Sequence, residues 1–107
     1  MLSKPINLVI ADDHALFRST LKNYLSGLEN IQVSVLASDI SDLHIKLKDA
    51  SADVLLMDIF MPEPNGNEAI RSIRSEYPRL KILVLPMSTD MDMISRLLDA
   101  GIHGYIS

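Results

Sequence analysis

Three aspartates stand where apolar, strand-like runs end. Asp12 and Asp13 follow Leu8-Val9-Ile10-Ala11, and Asp58 follows Val54-Leu55-Leu56-Met57. Carboxylates rarely sit beside buried strand cores unless they are paired or hold a metal. Neighbouring strands lie about 4.8 Å apart, so if these two runs are adjacent, their ends bring all three acids into one pocket. Ionised carboxylates packed together repel, and a hard divalent cation such as Mg²⁺, bound through oxygen, removes the conflict. An aspartate in such a pocket can also attack phosphorus and form an acyl phosphate, with the cation steadying the phosphoryl oxygens. A plainer reading makes Asp12 and Asp13 caps of the first helix and Asp58 part of a loop. Residue types alone leave both open; three acids at one sheet edge are what speaks for a site.

The elements that must position these acids read as an α/β domain, short apolar runs alternating with segments of helical period. Strands are expected at Ile6–Ala11, Ile31–Ala37, Val54–Met57, Leu80–Leu85 and Gly104–Ile106. The first helix shows Phe17, Leu21, Tyr24 and Leu28 on one face, with Asp13 as N-cap and Gly27 near its end. The second shows Ile40, Leu43, Leu47 and Ala50, capped by Ser38 or Asp39. The third opens with Asn65-Gly66-Asn67-Glu68, continues through Ala69, Ile70 and Ile73, and stops before Pro78. The fourth starts near Ser88 or Thr89 and shows Ile94, Leu97 and Leu98 before Gly101. Crossovers of this length are right-handed, and sites in open α/β sheets lie outside the C-terminal strand ends. Asp12, Asp13, Asp58 and the turn after Leu85 share that edge.

Composition narrows the setting. The 107 residues suit one domain, and with 48% apolar and 22% charged residues a packed core is expected rather than disorder. The absence of cysteine fits a reducing cytoplasm, and the short apolar runs fall well below the ~20 residues needed to cross a bilayer. Ten scattered basic residues and a net charge of −4 argue against this segment gripping nucleic acid by itself.

The stretch Asp58-Ile59-Phe60-Met61-Pro62-Glu63-Pro64-Asn65-Gly66 sets a Met-Pro turn and an Asn-Gly cap behind the third acid. Together with Ile10-Ala11-Asp12-Asp13-His14, it resembles the receiver domain of bacterial two-component response regulators, over the whole chain. The wording around Ile10–Arg18 and Gly101–Ile106 is most similar to regulators with a LuxR-type helix-turn-helix output. The resemblance implies a flavodoxin-like, doubly wound parallel sheet of five strands in the order 2-1-3-4-5. It implies that Asp58 accepts a phosphoryl group from a sensor histidine kinase. Asp13 would bind Mg²⁺ directly, Asp12 mainly through water, and the backbone carbonyl of Phe60 would complete the protein ligands. Control of transcription follows as an expectation, with DNA reached only through an output domain outside this segment. The setting is cytoplasmic without a membrane partner, and a homodimer is compatible with the resemblance. Any catalysis would be confined to self-phosphotransfer and autodephosphorylation.

Several positions depart from the family's pattern. Receivers end the fourth strand with Thr or Ser, where this chain has Pro86, which offers neither hydroxyl nor N–H. Ser88 lies two residues on, and helix capping is its simpler job. Tyr105 matches the aromatic that moves in concert with the missing hydroxyl. The family's lysine would follow Ser107, and its fifth helix has no counterpart here. The expectation is a receiver shortened at its C-terminal end, with half of one sheet face bare. A bulky Phe60 two residues beyond the acceptor is expected to hinder water and slow autodephosphorylation. The competing class is a receiver-like interaction module that works without phosphorylation. A flavin carrier is disfavoured, because no Gly-rich loop follows the first strand and Asp12-Asp13 would repel phosphate. His14, His44 and His103 show no metal-ligand spacing, and His14 reads as a first-turn helix residue.

Overall fold

Residues 4–58, 66–85 and 91–106 are described by the computed structural model. The elements run β1 (Ile6–Ala11), α1 (Ala15–Ser26), β2 (Ile31–Ala37), α2 (Ile40–Leu47), β3 (Val54–Asp58), α3 (Gly66–Glu76), β4 (Lys81–Leu85), α4 (Met91–Ala100) and β5 (Gly104–Tyr105). All strand pairs are parallel and form one sheet in the order β2-β1-β3-β4-β5. The flavodoxin-like expectation therefore holds. Phe60, Asn65, Pro86, Ser88 and Ser107 lie outside the described residues.

Strand sequences read as nearly unbroken apolar runs because both faces are used, and alternation sends neighbours to opposite sides. Val9, Ala11, Leu55, Met57, Ile82 and Val84 point to one face and are buried against Ile40, Leu43 and Leu47 of α2, Ile70 and Ile73 of α3, and Leu97 of α4. Leu8, Ile10 and Leu56 point to the other, where Leu21 and Leu25 of α1 meet them. Fully burying one Leu or Ile stabilises the fold by roughly 1.5–3 kcal/mol, so the first face dominates.

A register shift between Leu8 and Val9 leaves Ser34 of β2 unpaired in the ladder, with its hydroxyl 3.5 Å from the Leu8 carbonyl. The extra residue reverses the alternation. Ile31 and Val33 join the α1 side, whereas Val35 and Ala37 join the α2–α4 side. Strand β2 thereby serves both cores.

Local signals explain the helix ends. Asp39 caps α2 by accepting from the Asp42 amide at 2.7 Å, and Asp42 returns a bond from the Ser38 amide at 3.0 Å. That bond and the Lys46 ammonium hold the Asp42 carboxyl below the usual carboxylate range. Gly101 ends α4 at φ 124°, a conformation that favours glycine, while its amide closes onto Leu97 and Leu98 carbonyls.

Two expectations for helix faces, and two strand bounds, need correction. On α1, Phe17, Tyr24 and Leu28 are exposed, and the inward stripe is Leu21 with Leu25. No residue of α1 is fully buried. Leu98 of α4 is likewise exposed, and Ala100 takes the inward place beside Ile94 and Leu97. Leu80 precedes β4 and Ile106 follows β5, although the Ile106 amide still bonds the Val84 carbonyl.

Candidate functional site

Adjacency of β1 and β3 decides the geometry. Ala11 pairs with Met57, so the next residue along β1, Asp12, emerges beside Asp58 at the end of β3. Both are buried, at 3% and 6% exposure, and are the buried charged residues among the described ones. Asp13 is exposed on the turn into α1. One oxygen from each aspartate and one ring nitrogen of His14 all lie within 4.8 Å of one another. The three acids thus meet at the C-terminal edge of the sheet.

The β1–α1 turn is held by its own polar groups. The Asp12 amide donates to the Ala37 carbonyl at 3.1 Å, which ties the turn to β2. Nη1 of Arg18 donates to the Asp12 carbonyl at 2.7 Å, so the first turns of α1 clamp the residue from the other side. The Asp12 carboxylate accepts from the His14 amide at 2.7 Å. These bonds hold a buried carboxylate in one orientation.

Asp13 is not the N-cap of α1. His14 occupies that position in extended conformation, with no side-chain cap bond. The Asp13 carboxylate lies instead with the other acids, 3.0 Å from His14 Nδ1. His14, expected as a first-turn helix residue, stands at the N-cap with its ring beside the acids. Its ring nitrogen stands 3.2 Å from Asp12 Oδ1 as well. The available signal was its place directly after Asp12-Asp13; the spacing of the three histidines along the chain concealed it.

The donor set suits a hard divalent cation: carboxylate oxygens from three residues, two of them in low-dielectric surroundings where unbalanced charge is costly. By contrast, a cavity of about 360 Å³ at the opposite sheet edge is lined mainly by apolar groups of Leu47, Tyr77, Pro78 and Leu80. Tyr105, on β5 beside Val84, is 42% exposed.

The response regulator receiver domain family matches residues 8–107. The transcriptional regulatory protein DegU of Brevibacillus brevis is 37% identical over 101 residues, covering 94% of this chain and 43% of its own length. The oxygen regulatory protein NreC of Staphylococcus haemolyticus is 35% identical over 102 residues, covering 94% and 47%. Among solved structures, the RcsB response regulator of Salmonella typhimurium superposes with a TM-score of 0.90 at 30% identity, covering 97% of this chain and 52% of that one. The isolated REC domain of RcsB, determined with the phosphomimetic BeF₃⁻, gives 0.89 at 30% identity over 96% and 77%. The chain spans about half the length of the curated relatives it matches. It belongs to the family of response regulator receiver domains.

Proposed function

We propose that this domain accepts a phosphoryl group on Asp58 from a sensor histidine kinase and thereby controls a transcriptional output. One observation carries the reading: the Asp58 carboxylate, at the end of a buried strand, faces Asp12 and Asp13 within 4.8 Å. A carboxylate fixed on a rigid strand end is a positioned nucleophile. An oxygen of Asp58 attacks the phosphorus of a phosphohistidine, forming the O–P bond as the N–P bond breaks. The departing imidazole takes up a proton. Asp13, exposed at the rim, and Asp12, behind it, supply the negative charge that holds Mg²⁺ at the site. When bound, Mg²⁺ offsets charge on the phosphoryl oxygens. The Phe60 carbonyl completes the ligand set in this reading.

Leu16 and Phe17, exposed on α1 beside the acids, offer apolar footing to a protein donor. The proposed output is a LuxR-type DNA-binding domain, supported by similarity to DegU, NreC and RcsB; RcsB has been solved as dimers bound to DNA. Cytoplasmic residence accords with that reading, and no helix among the described residues is long and apolar enough to cross a membrane.

Incubation with acetyl phosphate and Mg²⁺, followed by intact mass, tests the proposal. The wild type gains one phosphoryl group, and Asp58→Asn gains none. Failure of the wild type to gain mass with either acetyl phosphate or kinase would turn the reading to a phosphorylation-independent interaction module.

A further inference from the structure

The peptide unit between Asp12 and Asp13 joins two of the three acids, and a side chain six residues on holds it. Its carbonyl oxygen accepts from Nη1 of Arg18 at 2.7 Å. A peptide unit is planar, so a bond that fixes its carbonyl constrains ψ of the residue before it and φ of the residue after. The units on either side have partners of their own. The one before Asp12 donates the Asp12 N–H to the Ala37 carbonyl at 3.1 Å. The one after Asp13 donates the His14 N–H to the Asp12 carboxylate at 2.7 Å. Consecutive peptide planes are thus held by β2, by α1 through Arg18, and by the Asp12 carboxylate.

The middle plane decides how the two acids stand relative to each other. Released from its partner, it can rotate about ψ of Asp12 and φ of Asp13 and carry the Asp13 carboxylate away from the other two. Arg18 is suited to prevent this. Its own amide bonds the His14 carbonyl at 3.0 Å, so its backbone is fixed by the start of α1, and its side chain is partly buried. A hydrogen bond from a charged donor is also roughly twice as strong as a neutral one. We propose that Arg18 is a positioning residue for the acidic site. By holding the Asp12–Asp13 peptide plane it keeps the Asp13 carboxylate with those of Asp12 and Asp58, and so sets the affinity for Mg²⁺. The inference rests on the metal-binding reading above and assigns part of that affinity to a residue that is not a ligand.

The test compares wild type, Arg18→Met, Arg18→Lys and Leu83→Ala. Methionine removes the donor, lysine supplies one again, and Leu83→Ala lowers stability without touching the turn. Mg²⁺ titrations followed by amide NMR shifts give the dissociation constants, and the Asp12 carbonyl carbon shift reads the bond itself with no metal present. Arg18→Met is expected to move that carbonyl resonance and to weaken Mg²⁺ binding about tenfold, as loss of a group that orients a ligand commonly does. Arg18→Lys is expected to stay within about threefold of wild type, because the bond uses a single donor. Leu83→Ala should match wild type in both readouts. Undiminished Mg²⁺ binding or an unmoved Asp12 resonance in Arg18→Met overturns the inference and leaves the metal reading standing. So does a loss in Leu83→Ala or Arg18→Lys equal to that in Arg18→Met, since lost stability or lost packing, rather than the lost donor, would then account for it. Failure of the wild type to bind Mg²⁺ removes the metal reading and this inference together.

Discussion

The two faces of the sheet are built to different standards. Among the described residues, seventeen buried apolar side chains form a continuous core on the side of α2, α3 and α4. On the side of α1, three are buried, and Leu83 and Leu85 near the β5 side are only partly covered. Alternation along one strand thus places consecutive residues in unlike surroundings. The stability of the domain resides mainly on the three-helix side, while the acids at the strand ends draw on both: Asp12 is clamped from α1 by Arg18 and from β2 by Ala37.

Adjacent residues of β4 give the sharpest way to break that comparison. Ile82 is fully buried on the three-helix side, and Leu83 is half-covered on the other. Ile82→Ala is expected to cost about 3–4 kcal/mol, from lost transfer energy plus a cavity that rigid neighbours cannot fill. Leu83→Ala is expected to cost about 1 kcal/mol, because water already reaches the site. Urea unfolding of the two variants measures the difference. Equal losses would mean that the α1 side is as tightly packed as the other.

Helix starts extend the contrast. On the three-helix side, α2 has a side-chain cap from Asp39, whereas α1 on the other side begins at His14 without one. Asp39→Ala is expected to lower stability by about 1 kcal/mol. A thermal midpoint unmoved by Asp39→Ala would show that packing alone sets the start of α2.

The smallest effect lies where β5 joins the sheet. His103 Nδ1 accepts from the Ile82 amide at 3.0 Å, and the His103 amide donates to the Ile82 carbonyl at 2.8 Å. The ring must be unprotonated at Nδ1 to accept. Partial burial, then the positive Arg74 and Lys81, hold its pKa below the ordinary 6.5. The unfolded chain therefore takes up this proton first as pH falls. The contribution of His103 is complete above about pH 6.5 and declines below it, toward the lowered folded value. Unfolding midpoints at pH 7.5 and 5.5 should differ more in wild type than in His103→Ala. Identical pH slopes would remove His103 from the account.

Much of this is legible in the sequence. The apolar runs marked all five strands to within a residue or so at their ends, since a doubly covered strand has no polar alternation to obscure it. The α2 and α3 faces were also legible, because Leu43, Leu47, Ile70 and Ile73 recur at helical steps with polar residues between them. On α1 the same reasoning chose Phe17 and Tyr24 over Leu25. Both stripes are apolar at helical spacing there, and sequence does not say which one faces the sheet. At the site, the three acids were visible as strand-end anomalies. The nearness of His14 was not, because it depends on where the ring lies and not on distance in sequence from other histidines.

The chain's own residues determined the alternation of strands and helices, the caps at Asp39 and Gly101, and the chemistry available at three strand-end carboxylates. Those properties are local, set by side-chain type and by backbone geometry over a few residues. Only the tertiary structure decided that β1 and β3 are neighbours, that Ser34 reverses the alternation of β2, and that Asp13 turns from the helix toward His14. Each is a choice between partners of similar local merit. It is settled by which arrangement buries the larger apolar face while leaving the buried carboxylates a hydrogen-bonded pocket at the sheet edge.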